Sequence, residues 1–137
     1  MNATRLYTPQ VLAAAVSLAR FPLADDLPLR GEARSASCGS VLTLGLATDG
    51  DDVITRTGLA AQACAVGQAS AAIFAEHAVG MKAARIATAA SGLRAWLAGD
   101  APLPDWPGLE LIAPARAYPA RHGAILLAWD AAEKALT

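Results

Sequence analysis

The spacing of apolar residues predicts a helix at the start of the chain and a strand some twenty residues later. Apolar residues recur every three to four positions from Thr8 to Ala19, and Thr8 followed by Pro9 is typical of a helix start. From Val41 to Leu46, leucines alternate with smaller or polar residues, which predicts a strand with one buried face. The hydrophobic period therefore changes from helical to extended between these two segments.

The residues after this strand predict that the chain turns back on itself. Thr48–Asp51 carries turn-forming residues, and Val53–Ala63 has the length of a returning strand. The acidic residues of the turn are explained by the preference of turns for aspartate, and we do not interpret them as a calcium site. A short edge strand is expected near Ala33–Ser35, inside an otherwise irregular connector.

The second half of the chain is predicted to be helical. Two amphipathic stripes end at Gly80 and Gly99, and a final helix begins at about Gly123. The proline-rich connector before it carries Trp106, which is expected to lie in the core or to cover it. Strands followed by segregated helices predict an α+β fold: a small antiparallel three-stranded sheet with helices packed on one face. Residues 1–137 are expected to form a single domain.

Composition narrows the classes of function. The chain has 137 residues, a formal net charge of −1 and two cysteines. It lacks an apolar run near the roughly 20 residues that cross a bilayer, and its first helix reads as amphipathic rather than as a signal peptide. We therefore expect a cytoplasmic protein with no nucleic-acid or membrane partner. Phosphate loops, HExxH and nucleophile elbows are absent from the sequence.

The two cysteines lie at matching positions around the predicted hairpin. Cys38 precedes its first strand and Cys64 follows its second, so matched arms would bring the two residues to the same end of the sheet. Cys64 also stands at the head of a predicted helix, where free backbone N–H groups favour a thiolate. Two thiols there could share a metal ion, although a zinc site needs four ligands. Burial as ordinary core cysteines is the alternative.

Four segments resemble, in order and spacing, the U-type iron–sulfur cluster assembly scaffold family, which includes the N-terminal domain of NifU, IscU and SufU. The segments are LYTPQVL, SCGSVLTL, QACAVGQASAAIFAEHAVG and YPARHGAILLAWDAAEKAL. The SufU branch is the most similar, because the connector PDWPGLELIAPARA looks like the insertion that distinguishes it. The resemblance covers nearly the whole chain and implies a SufE/NifU-like fold.

The resemblance also implies a function. Such a protein receives sulfur or metal, here at Cys38 and Cys64 as metal ligands, with help from a cysteine desulfurase and other assembly proteins. It is not an enzyme in its own right, and the cofactor it implies is a transient iron–sulfur cluster or zinc. Iron binding and zinc binding are both expected on this basis.

Two of the four metal ligands that the resemblance implies are missing. The third cysteine of the family falls on Ala124, and the aspartate that follows the first cysteine falls on Ser40. Neither residue is an ordinary ligand for zinc or for a cluster. His122 is a candidate replacement, with an exposed loop histidine as the alternative, whereas His77 is too far along its helix. Arg121 matches an arginine that lies near the metal pocket in relatives.

Two other functions stay open at this point. A degenerate family member could act as a metal-free adaptor or regulator of the assembly machinery. A thiol redox module could instead use Cys38 and Cys64 as a reversible disulfide. The sequence indicates no particular oligomeric state.

Overall fold

The computed structural model describes residues 6–36 and 39–137. Three short 3₁₀ segments, Leu18–Arg20, Leu109–Ala117 and Pro119–Arg121, connect its longer elements. Strands precede segregated helices, so the predicted α+β class is confirmed. The longer elements are α1 (Pro9–Ser17), β1 (Leu29–Arg34), β2 (Val41–Thr48), β3 (Ile54–Gln62), α2 (Ala65–Ala78), α3 (Ala83–Leu97) and α4 (His122–Leu136).

The sheet is antiparallel with the strand order β1-β2-β3. Leu42, Leu44 and Leu46 of β2 are fully buried, as their alternation predicts. The edge strand expected at residues 33–35 is longer and begins earlier, at residue 29. The first part of the strand was missed because Gly31 interrupts the hydrophobic pattern in the sequence. A glycine is needed there because α4 packs directly on it: an ideal Cβ on Gly31 would lie 2.0 Å from the carbonyl oxygen of Ala131.

The helices begin and end where the sequence signals predict. The Thr8 hydroxyl accepts a hydrogen bond from the backbone N–H of Val11 at 3.1 Å, which caps α1. Gly80 and Gly99, with φ of 93° and 86°, follow the ends of α2 and α3. None of the helices in the described ranges combines the length and apolar character needed to span a membrane.

The face of the sheet opposite the helices is covered by the segment between α1 and β1. Gly45 and Gly58 are cross-strand partners at the centre of this face. An ideal Cβ on Gly58 would lie 2.1 Å from the carbonyl oxygen of Pro22, and one on Gly45 would lie 2.8 Å from the Cβ of Leu27. The two glycines therefore let this segment lie directly on the sheet, where Leu27 is buried.

The connector before α4 is part of the core. Trp106 stacks on Phe74 of α2 with ring centroids 5.5 Å apart, and its indole N–H donates to the carbonyl oxygen of Ile73 at 3.0 Å. Trp129 of α4 packs edge-to-face against both rings. Of the two positions expected for Trp106, in the core or covering it, the structure shows the first, since only 3% of the residue is exposed.

The acidic turn between β2 and β3 is organised by Asp49. Its carboxylate accepts hydrogen bonds from the backbone N–H groups of Asp51 at 2.8 Å and Val53 at 3.1 Å. Asp52 adopts a left-handed conformation with φ of 61°. These bonds account for aspartate in the turn without a metal ion.

Candidate functional site

Cys64 occupies the N-cap position of α2, two residues after the end of β3. Its backbone is extended, with φ of −66° and ψ of 170°, and its carbonyl oxygen accepts the N–H of Gln68 at 2.9 Å. The side-chain amide of Gln68 donates to the carbonyl oxygen of Ala63 at 2.9 Å, which fixes the chain as it enters the helix. The Cys64 thiol makes no capping hydrogen bond and the residue is half-buried. It is a free cysteine at the boundary between core and solvent.

The ends of β1 and β2 meet beside this helix start. The backbone N–H of Ser35 donates to the carbonyl oxygen of Ser40 at 2.8 Å, and the N–H of Gly39 donates to Ser35 at 2.9 Å. Val41, the next residue of β2, pairs with Gln62 of β3. Ser40 therefore lies near the residues that lead into Cys64, and it is itself buried.

Cys38 lies outside the described residues. Its predicted position beside Cys64 therefore stays a prediction, and so does its role as a metal ligand. The described residues around it, Ser35 and Ser40, place the loop that joins β1 to β2 at the same end of the sheet as the start of α2.

The first turn of α4 completes this end of the molecule. An ideal Cβ on Gly123 would lie 2.4 Å from the hydroxyl oxygen of Ser35, so α4 begins against the β1–β2 loop. An ideal Cβ on Gly67 of α2 would lie 3.2 Å from the Cβ of Ala124 of α4, and Ala124 is 1% exposed. The buried hydroxyl of Ser70 donates to the carbonyl oxygen of Ile125 at 2.7 Å. The loop and the first turns of α2 and α4 thus converge on one region, which we call the site end.

The sequence analysis did not single out Gly67. The sequence feature that could have identified it is the spacing of small residues, Gly67-x-x-Ser70, at the start of α2. Small residues at this spacing let α2 and α4 approach closely. Ser70 is buried on the inner side of this helix, and its hydrogen bond to α4 explains why a hydroxyl is accepted there.

The two histidines lie apart from Cys64 or are engaged elsewhere. The Nε2 atom of His122 is 2.6 Å from the carbonyl oxygen of Arg116, so the imidazole bonds to the 3₁₀ connector. Arg116 in turn donates through Nε to the carbonyl oxygen of Trp96 at 2.9 Å, at the end of α3. His77 is in the last turn of α2, about 20 Å along the helix from Cys64.

Arg121 lies directly before α4 at the site end. Its guanidinium donates to the hydroxyl of Tyr7 at 3.2 Å. The arginine named by the resemblance therefore links the start of the final helix to the segment that precedes α1.

The donor set of the described residues does not fit a resident zinc ion. In residues 6–36 and 39–137, no three side chains of the His, Cys, Asp or Glu type are grouped to hold a metal. The two positions at which the resemblance implies further ligands carry a methyl group, in Ala124, and a neutral hydroxyl, in Ser40, and both are buried. A tetrahedral site would therefore lack at least two of its four ligands.

Comparisons with known proteins agree on the fold. No family model matches the chain, and no curated protein sequence matches it either. Among solved structures, an N-terminal NifU-like protein from Brucella abortus is 27% identical, with a TM-score of 0.89 over 97% of this chain and 93% of the other. A protein from Fervidobacterium islandicum AW-1, assigned as an iron–sulfur cluster assembly scaffold for the SUF system, is 22% identical with a TM-score of 0.82; 99% of this chain and all of the other are covered. The chain therefore has the fold of this N-terminal NifU-like protein and is similar to it over nearly its whole length.

Proposed function

We propose that this protein works in iron–sulfur cluster assembly as a scaffold or a sulfur- and metal-trafficking protein. It receives sulfur or metal at Cys38 and Cys64, and a cysteine desulfurase supplies the sulfur. In this proposal the protein is cytoplasmic and catalyses no reaction of its own. The observation that carries it is the match, over 97% of the chain, to the NifU-like structure at a TM-score of 0.89.

The position of Cys64 supports sulfur transfer. Cys64 is half-buried at the start of α2. The backbone N–H of Gln68 donates to the carbonyl oxygen of Cys64, and the side-chain amide of Gln68 donates to that of Ala63, so the chain around the cysteine is fixed. In the transfer step, the Cys64 thiolate attacks the terminal sulfur of a partner's persulfide. The partner's S–S bond breaks, its cysteine leaves as a thiolate, and a new S–S bond forms on Cys64, without net oxidation.

The test is sulfur transfer from a cysteine desulfurase with free cysteine as the substrate, under anaerobic conditions. Intact-protein mass spectrometry should show a gain of one sulfur atom on the wild-type chain. We expect Cys64→Ser to abolish most of this gain, and Cys38→Ser to reduce it. A double variant, Cys64→Ser with Ser91→Cys, keeps the number of thiols and moves one to the exposed face of α3. Equal sulfur uptake by that double variant would show that the transfer is non-specific.

A metal-free adaptor is the second candidate function, and Ala124 and Ser40 favour it, because neither can take the place of the ligands that the resemblance implies. An adaptor would bind the desulfurase and change its turnover while its own thiols gain neither sulfur nor metal. The same assay therefore separates the two functions, provided that desulfurase turnover is recorded alongside the mass.

A reversible disulfide between Cys38 and Cys64 stays a third prediction. It requires Cα atoms within about 7 Å of each other. Mild oxidation of the free chain should then remove two hydrogen atoms from its mass, and reduction should restore them.

A further inference from the structure

The outer face of α1 is apolar and uncharged. In the described part of the chain, large apolar side chains are exposed at three positions, and two of these, Leu12 and Val16, lie one turn apart on α1. The exposed fractions of the two residues are 45% and 76%. Residues 6–19 contain no charged side chain. Apolar surface that is grouped in this way typically marks a contact with another molecule.

An open groove of about 380 Å³ lies beside this face. Gln68 of α2 is the polar residue in its lining. The apolar lining comes mainly from α1, the turn after it and β3, with Ala15, Val16, Leu18, Ala19, Leu59 and Ala61. Val16 borders the groove and exposes most of its surface, so one patch of the molecule carries both a projecting side chain and a hollow.

The groove offers side-chain surface rather than a free strand edge. Although β3 is an edge strand, the N–H of Leu59 donates to the carbonyl oxygen of Phe21 at 2.9 Å, and Pro22 forms a short parallel bridge with Leu59. An added strand needs a row of free backbone groups, and the chain after α1 already occupies this place at Leu59. The groove therefore suits side chains that pack into it, not an extended peptide.

The lack of charge on this face favours a second copy of the chain as its partner. Different proteins usually steer and select each other by complementary charges. At the end of the face, the charge of Arg20 is already compensated by the carboxylate of Glu76, 3.3 Å away. A two-fold contact puts the same surface on both sides, so that surface must be self-complementary. This face meets the condition, because it combines Val16 with a groove and carries no charge that would repel its copy.

We propose that two copies of this chain associate through the outer face of α1, with Val16 of each copy seated in the groove of the other. The nine residues of α1 span about 14 Å, so this face offers well under the roughly 800 Å² per partner of a stable interface. The dimer is therefore weak and forms at roughly 0.1–1 mM chain. The inference goes beyond the proposed function, because sulfur transfer to Cys64 requires no dimer.

Sedimentation velocity of the reduced full chain, from about 10 μM to about 1 mM, measures this association. We expect wild type to be a monomer at the lowest concentration and to gain a dimer fraction as the concentration rises. Val16→Asp puts an unpaired charge into the contact and should weaken the association by about 10-fold or more. Val79→Asp, at a position 53% exposed after the end of α2, is the matched control and should leave the association unchanged.

A second variant separates the shape of the groove from its lack of charge. Ala19 is exposed and lines the groove, so the larger but uncharged side chain of Ala19→Gln fills the hollow without entering the core. We expect this variant to weaken the association by about 3-fold or more. In wild type, methyl NMR signals that shift with concentration should be those of Leu12, Val16, Leu18 and Leu59.

Three results would overturn the proposal. The first is a wild-type chain that stays a monomer at every concentration. The second is equal association of wild type and Val16→Asp, with circular dichroism showing that the variant is folded. The third is a set of methyl shifts at Val16 and Leu59 that appears only when a cysteine desulfurase is added, which would assign the face to a different protein. Sulfur uptake by a chain that stays monomeric would leave the proposed function standing, so the two failures are distinguishable.

Discussion

Gly67 and Ala124 set the distance between α2 and α4 beside Cys64. An ideal Cβ on Gly67 would lie 2.9 Å from the Cβ of Ala63 and 3.2 Å from that of Ala124. The first of these distances is shorter than real contacts between carbon atoms allow, so a larger residue at position 67 would push apart segments that border the site end. The absence of a side chain at Gly67 therefore lets the first turn of α2 lie close to α4.

We expect Gly67→Ala to destabilise the protein by about 1–3 kcal/mol, because overpacking outweighs the gain in helix propensity. Gly92→Ala is the matched control, since its Cβ would lie 3.4 Å from the Cγ of Pro104, an ordinary contact. That variant should be neutral or more stable by up to about 1 kcal/mol. Urea denaturation measures both free energies of unfolding. Equal effects of the two substitutions would show that the α2–α4 crossing is looser than described.

The sequence predicted candidate positions at the site end better than it predicted their contacts. The resemblance puts the family's third ligand position at Ala124, and an ideal Cβ on Gly67 would lie 3.2 Å from the Cβ of Ala124, so this position borders the first turn of α2. The role of His122 was not predictable, because its partner is a backbone carbonyl of Arg116 in an irregular connector. Hydrogen bonds to such carbonyls leave no pattern in the sequence.

Among the elements, the segment between α1 and β1 is held to β3 by an ion pair at the surface. Arg56 donates to both carboxylate oxygens of Asp26, at 2.8 and 3.0 Å. The hydrogen bond from Arg56, together with its charge, holds the pKa of Asp26 below the ordinary value of 3.8. Because both side chains are well exposed, salt screens the pair and its effect on stability is small.

The sign of the pH dependence follows from the lowered pKa of Asp26. Its ionised form is favoured in the folded chain, so the stabilisation is present above the unfolded pKa and is lost as pH falls through the folded one. We expect Arg56→Gln to raise the pKa of Asp26 towards the ordinary value, as followed by NMR titration of the carboxyl carbon. The difference in stability between this variant and wild type should shrink between pH 7 and pH 3, and also in high salt.

A difference that stays constant with pH would instead assign the role of Arg56 to packing of its aliphatic stem. Asp51→Asn is the matched control for the titration, because it removes a carboxylate from the exposed turn without touching the ion pair.

The elements that the sequence predicted well are those with a clean hydrophobic period. Leu42, Leu44 and Leu46 alternate and are fully buried, so β2 was predictable. The edge strand was only partly predicted, because Gly31 has no side chain to show which face it presents. The 3₁₀ stretch Leu109–Ala117 contains Pro114, and its structure depends on tertiary packing against α2.

For the molecule as a whole, the rings of Phe74, Trp106 and Trp129 hold three parts of the chain together. Neighbouring ring centroids are 5.3–5.5 Å apart. They come from α2, the connector and α4, so the connector is as much a core element as the helices. The start of α4 at the site end depends on this cluster, since the connector leads directly into it.

We expect Trp106→Ala to destabilise the protein by about 3–5 kcal/mol, because it opens a large cavity and leaves the connector without its anchor. Val16→Ala, at a position 76% exposed, should change the stability by less than about 0.5 kcal/mol. Thermal and urea denaturation measure both. A small loss of stability in Trp106→Ala would mean that the connector packs on the core even without the indole ring.

The contact of Gly31 with the backbone of Ala131 limits how α4 can move. At this point α4 packs on the backbone of β1 with no side chain between them. A change of side-chain rotamer therefore cannot make room for a shift of the helix. A slide or roll of α4 would have to lift the whole helix off the sheet. Any rearrangement at the site end would therefore fall to the short segments that lead into α2 and α4, because short segments move faster than a packed helix shifts its register.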